Sequence, residues 1–294
     1  MARSLLVVAI ALLAVNAGCA GFGGQSTTTT DAPATTAEPT RKTTAEPTRK
    51  TTAEPTQTQP VIAAPGFNGG TLVDPLALAD AHAGWLSGKS FAREDNQTTR
   101  TAGNTSWIAT TIRVENESRW ETRQAFTGAH SYTMADGTVL QYANSTHVYH
   151  RLDSGDGNVT YGVQPNTWAT SSAPDSLELV ERRLARDYVY AVFSTASWTT
   201  IVGETSANGT TVYDVLGNAS GETRFRGATV RNFTVEAAVT GDGFVQEMAV
   251  SYEQDDAVVS RTVSFSDVGE TTVDRPEWFD TAVNRTEQDW DVAD

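Results

Sequence analysis

Three consecutive segments near the C-terminus, 229–239, 244–252 and 258–266, place apolar residues on one side of the chain and polar residues on the other. A period of two residues predicts β-strands with one apolar and one polar face. The residues on the apolar side are Phe233, Val235, Ala237 and Val239, then Phe244, Met248, Val250 and Tyr252, then Val259, Val263 and Phe265. We therefore predict antiparallel strands whose apolar face needs a cover.

The region 90–163 also alternates, in shorter runs. Strands are predicted at 107–115 and 119–126, with a turn at 116–118. Asp136-Gly137 and Asp156-Gly157 are sequences typical of hairpin turns. They would divide the following chain into short strands at 131–134, 139–142, 147–151 and 159–163. The region therefore predicts an antiparallel meander.

Two segments show helical periodicity instead. The first, Pro75 to Ser87, follows Asp74, an N-cap residue with proline at the first helical position. The second, Ser176 to Ser194, starts with a capping pattern in which Glu178 lies three residues after Asp175. The predicted buried stripes are Leu76, Ala79, Ala83 and Leu86 in the first helix, and Leu177, Val180, Leu184, Tyr188 and Ala191 in the second. We expect both helices to cover a sheet face.

The N-terminus has the pattern of an export signal. Arg3 precedes an apolar run at 5–15, which is shorter than a membrane span, and the small residues before Cys19 complete a signal peptide over 1–18. Asn16-Ala17-Gly18-Cys19 resembles a lipobox, in which the cysteine is lipidated, although Asn16 stands where leucine is usual. The alternative is ordinary secretory cleavage that leaves a free thiol.

Residues 19–65 form a threonine- and proline-rich segment that contains an eight-residue repeat, 35–42 and 43–50. Its apolar side chains are too few to offset the entropy of ordering it, so we predict a disordered linker. The rest, 66–294, is predicted to be a single domain. This organisation predicts a domain held at the extracellular face of the cell membrane by the lipid on Cys19.

Composition narrows the possible partners. The 294 residues carry a formal charge of −15, and Lys89 is the only lysine after Lys50. Such a surface repels the phosphates of nucleic acid, and concentrated salt would screen its self-repulsion. We therefore expect a halophilic protein without a nucleic-acid partner; the simpler alternative is an acidic exported protein. A single cysteine excludes an internal disulfide and a thiolate metal cluster.

The order of these elements, with the closing sequence 265–276, resembles lipoproteins of the LolA/LppX/LprG half-barrel type, which also occur as anchored proteins in haloarchaea. The resemblance implies an α+β fold, in which a strongly curved antiparallel sheet forms a half-barrel and two helices cover its concave face. It also implies a hydrophobic or lipid ligand. Candidate ligand contacts are Ile112, Trp120, Phe126, Phe233, Met248 and Phe265. The alternatives are that these residues fill a core, and that the protein is an envelope structural or interaction glycoprotein.

Nine Asn-x-Ser/Thr triplets follow the linker, a density that favours surface N-glycosylation. They begin at Asn96, Asn104, Asn116, Asn144, Asn158, Asn208, Asn218, Asn232 and Asn284.

The sequence offers little support for catalysis or metal binding. His147 and His150 are three residues apart, which places them on opposite faces of the predicted strand, and His82 is interpreted as a packed or surface residue. Asp255-Asp256 and the acidic tail 287–294 lack the ligand spacing of a calcium loop. No nucleophile elbow, phosphate loop or dinucleotide fingerprint is present. We expect no enzyme activity, no cofactor and no metal.

Overall fold

The computed structural model describes residues 64–128, 136–166, 184–207 and 209–290, and these contain fourteen strands and three helices. The strands are β1 (Phe67–Asn68), β2 (Thr71–Leu72), β3 (Phe91–Arg100), β4 (Thr105–Asn116), β5 (Arg119–Thr127), β6 (Asp136–Ala143), β7 (His147–Ser154), β8 (Val159–Pro165), β9 (Trp198–Ala207), β10 (Thr210–Ala219), β11 (Thr223–Phe225), β12 (Ala228–Thr240), β13 (Val245–Gln254) and β14 (Ala257–Ser266). The helices are α1 (Pro75–Leu86), α2 (Arg186–Thr195) and α3 (Phe279–Trp290).

All fourteen strands belong to one antiparallel sheet, in the order β1-β2-β9-β10-β12-β13-β14-β3-β4-β5-β6-β7-β8, with β11 paired to β12. The pairing of β14 with β3, from Val258↔Arg100 to Ser266↔Ala92, joins the two predicted meanders. The sheet remains open between β1 and β8. The predicted half-barrel fold class is confirmed.

Helices α1 and α2 pack on one face of the sheet, which we call the inner face. Alternation along the strands directs Phe233, Met248 and Val263 to this face, and all three are buried, as the sequence predicts. From α2, Val189 and Val192 complete the same core. The core therefore lies between these two helices and the sheet.

Helix α1 begins as the sequence predicts. The Asp74 carboxylate accepts hydrogen bonds from the backbone N–H groups of Leu76 and Ala77 at 3.1 and 3.0 Å. Its buried residues are Leu78, Ala79, His82, Ala83 and Leu86. Leu76, predicted to be buried, is 44% exposed. At 100° per residue it lies roughly 90° from the centre of the buried stripe, which follows Leu78 and His82.

Two predicted boundaries are wrong. Asp136 and Gly137 are the first residues of β6, paired with Thr127 and Phe126, and do not form a turn. A Cβ at Gly137 would lie only 2.9 Å from the Phe126 ring, so this glycine allows the ring to lie across the strand. The second helix is not continuous, because Ala185 has φ 57° and α2 starts after it.

Helix α3 was not predicted from the sequence. It packs on the outer face through Phe279, whose ring contacts those of Tyr142 and Tyr149 at 5.5 and 4.4 Å. The predicted 1–18 signal peptide, most of the linker, the 131–134 strand and the 176–183 part of the second helix lie outside the described residues.

Candidate functional site

A cavity of about 600 Å³ lies where α1 ends and β3 begins, a size typical of small-ligand sites. Its described lining combines apolar and polar side chains: Leu86, Ser87, Gly88, Lys89, Phe91, Val114, Asn116, Glu117, Ser118, Ser145 and Leu184. The apolar members are buried, whereas Lys89 and Glu117 are exposed. The cavity thus has an apolar wall and a polar rim, an arrangement suited to an amphiphilic molecule.

The apolar wall follows from the local fold. Gly88, with φ 72°, reverses the chain after α1 and brings Phe91 to the start of β3. Phe91 pairs with Val114 near the end of β4, so the two side chains lie next to each other on the inner face. Leu184, which precedes α2, completes the wall. Three separate parts of the chain therefore meet at one apolar surface.

Lys89 brings a positive charge to the rim. Its ammonium group lies 3.4 Å from the centroid of the Trp85 ring, and a cation over an aromatic face is held by the ring quadrupole. Apart from the linker lysines, this is the only ammonium side chain of the chain. It could contact an anionic or polar headgroup at the cavity mouth.

Two turns with the same geometry border the cavity. In the β4–β5 turn, Asn116 Oδ1 accepts hydrogen bonds from the backbone N–H and the hydroxyl of Ser118 at 3.0 and 2.9 Å. In the β6–β7 turn, Asn144 Oδ1 accepts the same two bonds from Thr146, both at 2.9 Å. Each turn is thereby fixed by an asparagine that belongs to a predicted glycosylation triplet.

A buried ionic cluster lies further along the inner face. Arg261 of β14 donates two hydrogen bonds to the Asp95 carboxylate, at 2.7 and 2.6 Å, and Arg93 donates one at 2.5 Å. Burial alone would raise the pKa of Asp95, but the hydrogen bonds from Arg261 and the two nearby guanidinium charges lower it below its ordinary value. Asp95 therefore remains ionised in the interior.

Tyr188 of α2 covers this cluster. The Arg261 guanidinium stacks over the Tyr188 ring at 4.1 Å. Burial raises the pKa of Tyr188 to about 12, so its hydroxyl is neutral. The inner face is consequently apolar at the cavity wall and in the core, and polar beneath the Tyr188 ring.

His82 links the two covering helices to the sheet. Val245 N–H donates to its Nδ1 at 3.2 Å, so Nε2 carries the proton and donates to the Leu184 carbonyl at 2.8 Å. Burial lowers the pKa of His82 to about 4. His82 is therefore a neutral packed residue that holds Leu184 in the cavity wall.

The six predicted ligand contacts do not meet at this cavity. Trp120, Phe233, Met248 and Phe265 are buried in the core, while Ile112 and Phe126 are half-buried on the inner face. None of them lines the 600 Å³ cavity or a second cavity of about 280 Å³ beside Pro276 and Trp278. Core filling thus describes four of the six positions, and ligand contact by any of them stays a prediction.

The predicted glycosylation positions differ in accessibility. Asn158 donates its side-chain amide to Asp156 at 2.8 Å, and Asn232 lies within β12 at φ 52°. Asn96, Asn104, Asn116, Asn158, Asn232 and Asn284 are exposed, and Asn144 and Asn218 are half-buried. Asn208, like Cys19, lies outside the described residues.

The described residues contain no group of three His, Cys, Asp or Glu side chains placed to hold a metal ion. His147 and His150 lie in β7 on opposite faces, as predicted. His150 Nδ1 contacts the side-chain nitrogen of Gln141 at 3.1 Å, and burial lowers the pKa of His150. Within the described ranges, no helix is long and apolar enough to cross a membrane.

Sequence reasoning missed both the buried ionic cluster and the polar residues that line the cavity. Arg93 and Asp95 follow Phe91 at intervals of two, which places them on the inward side of β3, and charged residues at inward positions were the available signal. Arg261 lies two residues from both Val259 and Val263, so it faces inward with them on β14. Lys89 could have been identified by its rarity. The turns at Asn116 and Ser145 could not have been identified as part of the cavity from sequence, because their proximity to each other depends on strand register.

No known protein family and no curated protein matches this sequence. Among solved structures, LprF from Mycobacterium bovis is similar at 10% identity and a TM-score of 0.38, over 70% of this chain and 99% of that chain. A LolA superfamily protein from Nitrosomonas europaea is similar at 9% identity and a TM-score of 0.23, over 68% and 94% of the two chains. A putative outer membrane lipoprotein-sorting protein domain from Vibrio parahaemolyticus is similar at 10% identity and a TM-score of 0.24, over 71% and 97%.

Proposed function

We propose that this chain is an exported, lipid-anchored cell-surface glycoprotein that binds a hydrophobic or lipid ligand without catalysing a reaction. The observation that carries the proposal is the 600 Å³ cavity with its apolar wall. Leu86, Phe91, Val114 and Leu184 supply a surface from which water is displaced favourably by an acyl or isoprenoid chain.

The rim sets the orientation of such a ligand. Ser87, Ser145 and Lys89 offer hydrogen-bond donors at the mouth. A ligand with an apolar tail and a polar head would place the tail against Phe91 and Val114 and the head near Lys89. An entirely apolar molecule would leave this rim unused, so an amphiphile fits better.

The N-terminal segment supports display at the cell surface. Lipidation of Cys19 would attach the chain to the outer leaflet, and the linker 19–65 would hold the domain away from it. The acidic surface repels anionic headgroups, so attachment would depend on the covalent lipid. This is consistent with an extracellular location and contact with membrane lipids.

The second candidate is an envelope structural or interaction glycoprotein without a small ligand. It is favoured by the closed packing around Phe233 and Met248, which are 0% and 1% exposed. In this case the cavity beside α1 would hold only water.

A cavity-filling substitution separates the two candidates. Ser87 is an exposed lining residue at the C-cap of α1, so Ser87→Trp should occupy the cavity without disturbing the core. We expect it to weaken binding of a fluorescent C16 acyl probe on the order of tenfold or more, since the indole would take the place of the chain. The matched control is Ser206→Trp, at an exposed position of β9 outside the cavity.

Fluorescence titration of the full chain at the salt concentration of its host would measure the two affinities. Equal affinities for Ser87→Trp and the unmodified protein would contradict binding in this cavity. Absence of probe binding in all three proteins would favour the structural candidate.

A further inference from the structure

The two turns that border the cavity share a second property. Oδ1 of Asn116 is held by three donors, the backbone N–H and hydroxyl of Ser118 and the backbone N–H of Arg119 at 2.9 Å. Oδ1 of Asn144 is held in the same way by Thr146 and by His147 N–H at 2.8 Å. The carbonyl end of each amide is therefore fixed by the turn, and attachment of a group at Nδ2 would break none of these bonds.

Among the described residues, Asn158 and Asn218 belong to triplets that lack this combination. The Nδ2 of Asn158 donates to Asp156, so modification would replace a hydrogen bond. Asn218 lies inside strand β10, which is paired on both sides, with β9 and with β12, and not in a turn. Asn116 and Asn144 instead lie in turns whose hydrogen bonds hold the side-chain oxygen Oδ1. None of these hydrogen bonds involves the side-chain nitrogen Nδ2.

Both turns also lie at the cavity. Asn116 and Ser118 line it directly, and so does Ser145, the residue after Asn144. A group attached at either asparagine would project from the rim of the cavity. A ligand that enters the cavity would have to pass through the same region of solvent that the attached group occupies.

From these positions we propose that Asn116 and Asn144 carry N-linked glycans that stand at the cavity mouth and limit the rate at which a ligand enters and leaves. The modification forms a bond between Nδ2 and the anomeric carbon of a sugar carried on a lipid phosphate. The anomeric C–O bond breaks, the lipid phosphate leaves with the electron pair, and the amide loses one proton. The inference rests on the proposed export of the chain and on ligand binding in this cavity.

A barrier at the mouth has a defined kinetic signature. The glycans lie along the path by which the ligand enters and leaves. They do not touch the ligand once it is bound against Phe91 and Val114. Association and dissociation rates therefore fall by the same factor, and the equilibrium affinity stays nearly constant. Most substitutions in a binding site act differently, since they change mainly the dissociation rate.

The test uses variants that remove the acceptor triplet and keep the turn. Ser118→Ala with Thr146→Ala eliminates both triplets, while the two backbone N–H donors to each Oδ1 remain. Thr160→Ala is the matched control, because it destroys the Asn158 triplet in the β7–β8 turn, at the other end of β7 from Asn144. Thr146→Ser, at a position outside the cavity lining, retains the Asn144 triplet and should have the same rates as the parent protein.

Two readouts are needed on full-length protein from its host. Glycopeptide mass spectrometry of the parent protein, which carries no substitution, should find glycans on Asn116 and Asn144. Stopped-flow mixing with the C16 acyl probe should then show association and dissociation faster on the order of tenfold in the double variant, with an unchanged ratio. Thr160→Ala should leave both rates unchanged.

Several results would overturn the inference. These are unmodified Asn116 and Asn144 in the native protein, equal rates in the double variant and the parent, or an equal acceleration in Thr160→Ala. If neither the parent nor the double variant binds the probe, the proposed ligand binding fails and the gate with it, while the glycopeptide result still decides whether the two sites are modified. Binding by the double variant with parental rates rejects only the gate.

Discussion

At the scale of single residues, His82 makes stability depend on pH. Its unperturbed pKa is 6.5, and burial lowers the folded value to about 4. The unfolded chain therefore binds a proton at a higher pH than the folded protein does. Stability contributed by the neutral imidazole is present above pH 6.5 and is lost as the pH falls toward 4.

We expect this single group to remove about 3 kcal/mol of unfolding free energy between pH 7 and pH 4. Urea unfolding of the parent and of His82→Gln across this range would measure it. The variant should be less stable at pH 7, because its amide packs poorly between Phe244 and Phe265, and its stability should fall less steeply with acid. Parallel curves for the two proteins would contradict a neutral, buried His82.

The residues of the candidate site show how far sequence can identify function. Alternation at Phe91, Arg93 and Asp95 was an available signal for a strand with these residues on one face, but no strand was predicted at 91–100; all three are buried. It does not reveal that Arg261 from another strand reaches Asp95, because this contact depends on the register between β14 and β3. The cavity itself requires the end of α1 and two distant turns, so no local pattern could predict it.

At the scale of elements, the sequence predicts best where one signal dominates. Strands β12 to β14 alternate over most of their length, with register shifts in β12 at 231–234 and 238–239, and α1 has both a cap and a proline at its first position. Helix α3 was missed because its few apolar residues, among them Phe279 and the fully buried Ala282, lie amid a polar sequence. The break at Ala185 was missed because a left-handed alanine has no sequence signature.

The cap of α1 can be tested directly. Asp74→Ala should lower the unfolding free energy by about 1 kcal/mol, since the N–H groups of Leu76 and Ala77 lose their acceptor. Asp74→Ser should retain most of the stabilisation that the cap provides, because serine is also a favourable N-cap residue. Chemical unfolding would compare the three proteins, and equal losses in both variants would point to a role of Asp74 other than capping.

At the scale of the whole molecule, the acidic domain and the N-terminal pattern together predict a protein whose only hold on the membrane is covalent. Replacing Cys19 by serine should release the mature chain from the membrane fraction, whereas the parent should remain with it at any salt concentration. Fractionation followed by immunoblotting would measure this. Unchanged partitioning of Cys19→Ser would contradict lipidation at that residue.

The half-barrel is compatible with both the proposed display and the proposed ligand binding. Helices α1 and α2 fill much of the inner face, which supplies stability without disulfides, and the cavity lies beside the C-terminal end of α1. The apolar positions chosen from sequence are mostly core, because alternation identifies which residues face inward but not which of them another side chain covers. The proposed ligand binding therefore depends on the gap that packing leaves near Phe91 and Val114.

The most direct test of this account is to extract the full-length Cys19→Ser protein with organic solvent, after purification at the salt concentration of its host, and to quantify lipids per chain. Without the covalent anchor, any lipid recovered must have been bound noncovalently. We predict about one amphiphilic molecule per chain, reduced strongly when Ser87→Trp is added and retained with Ser206→Trp. Reproducible absence of lipid from every variant would contradict a ligand-binding cavity.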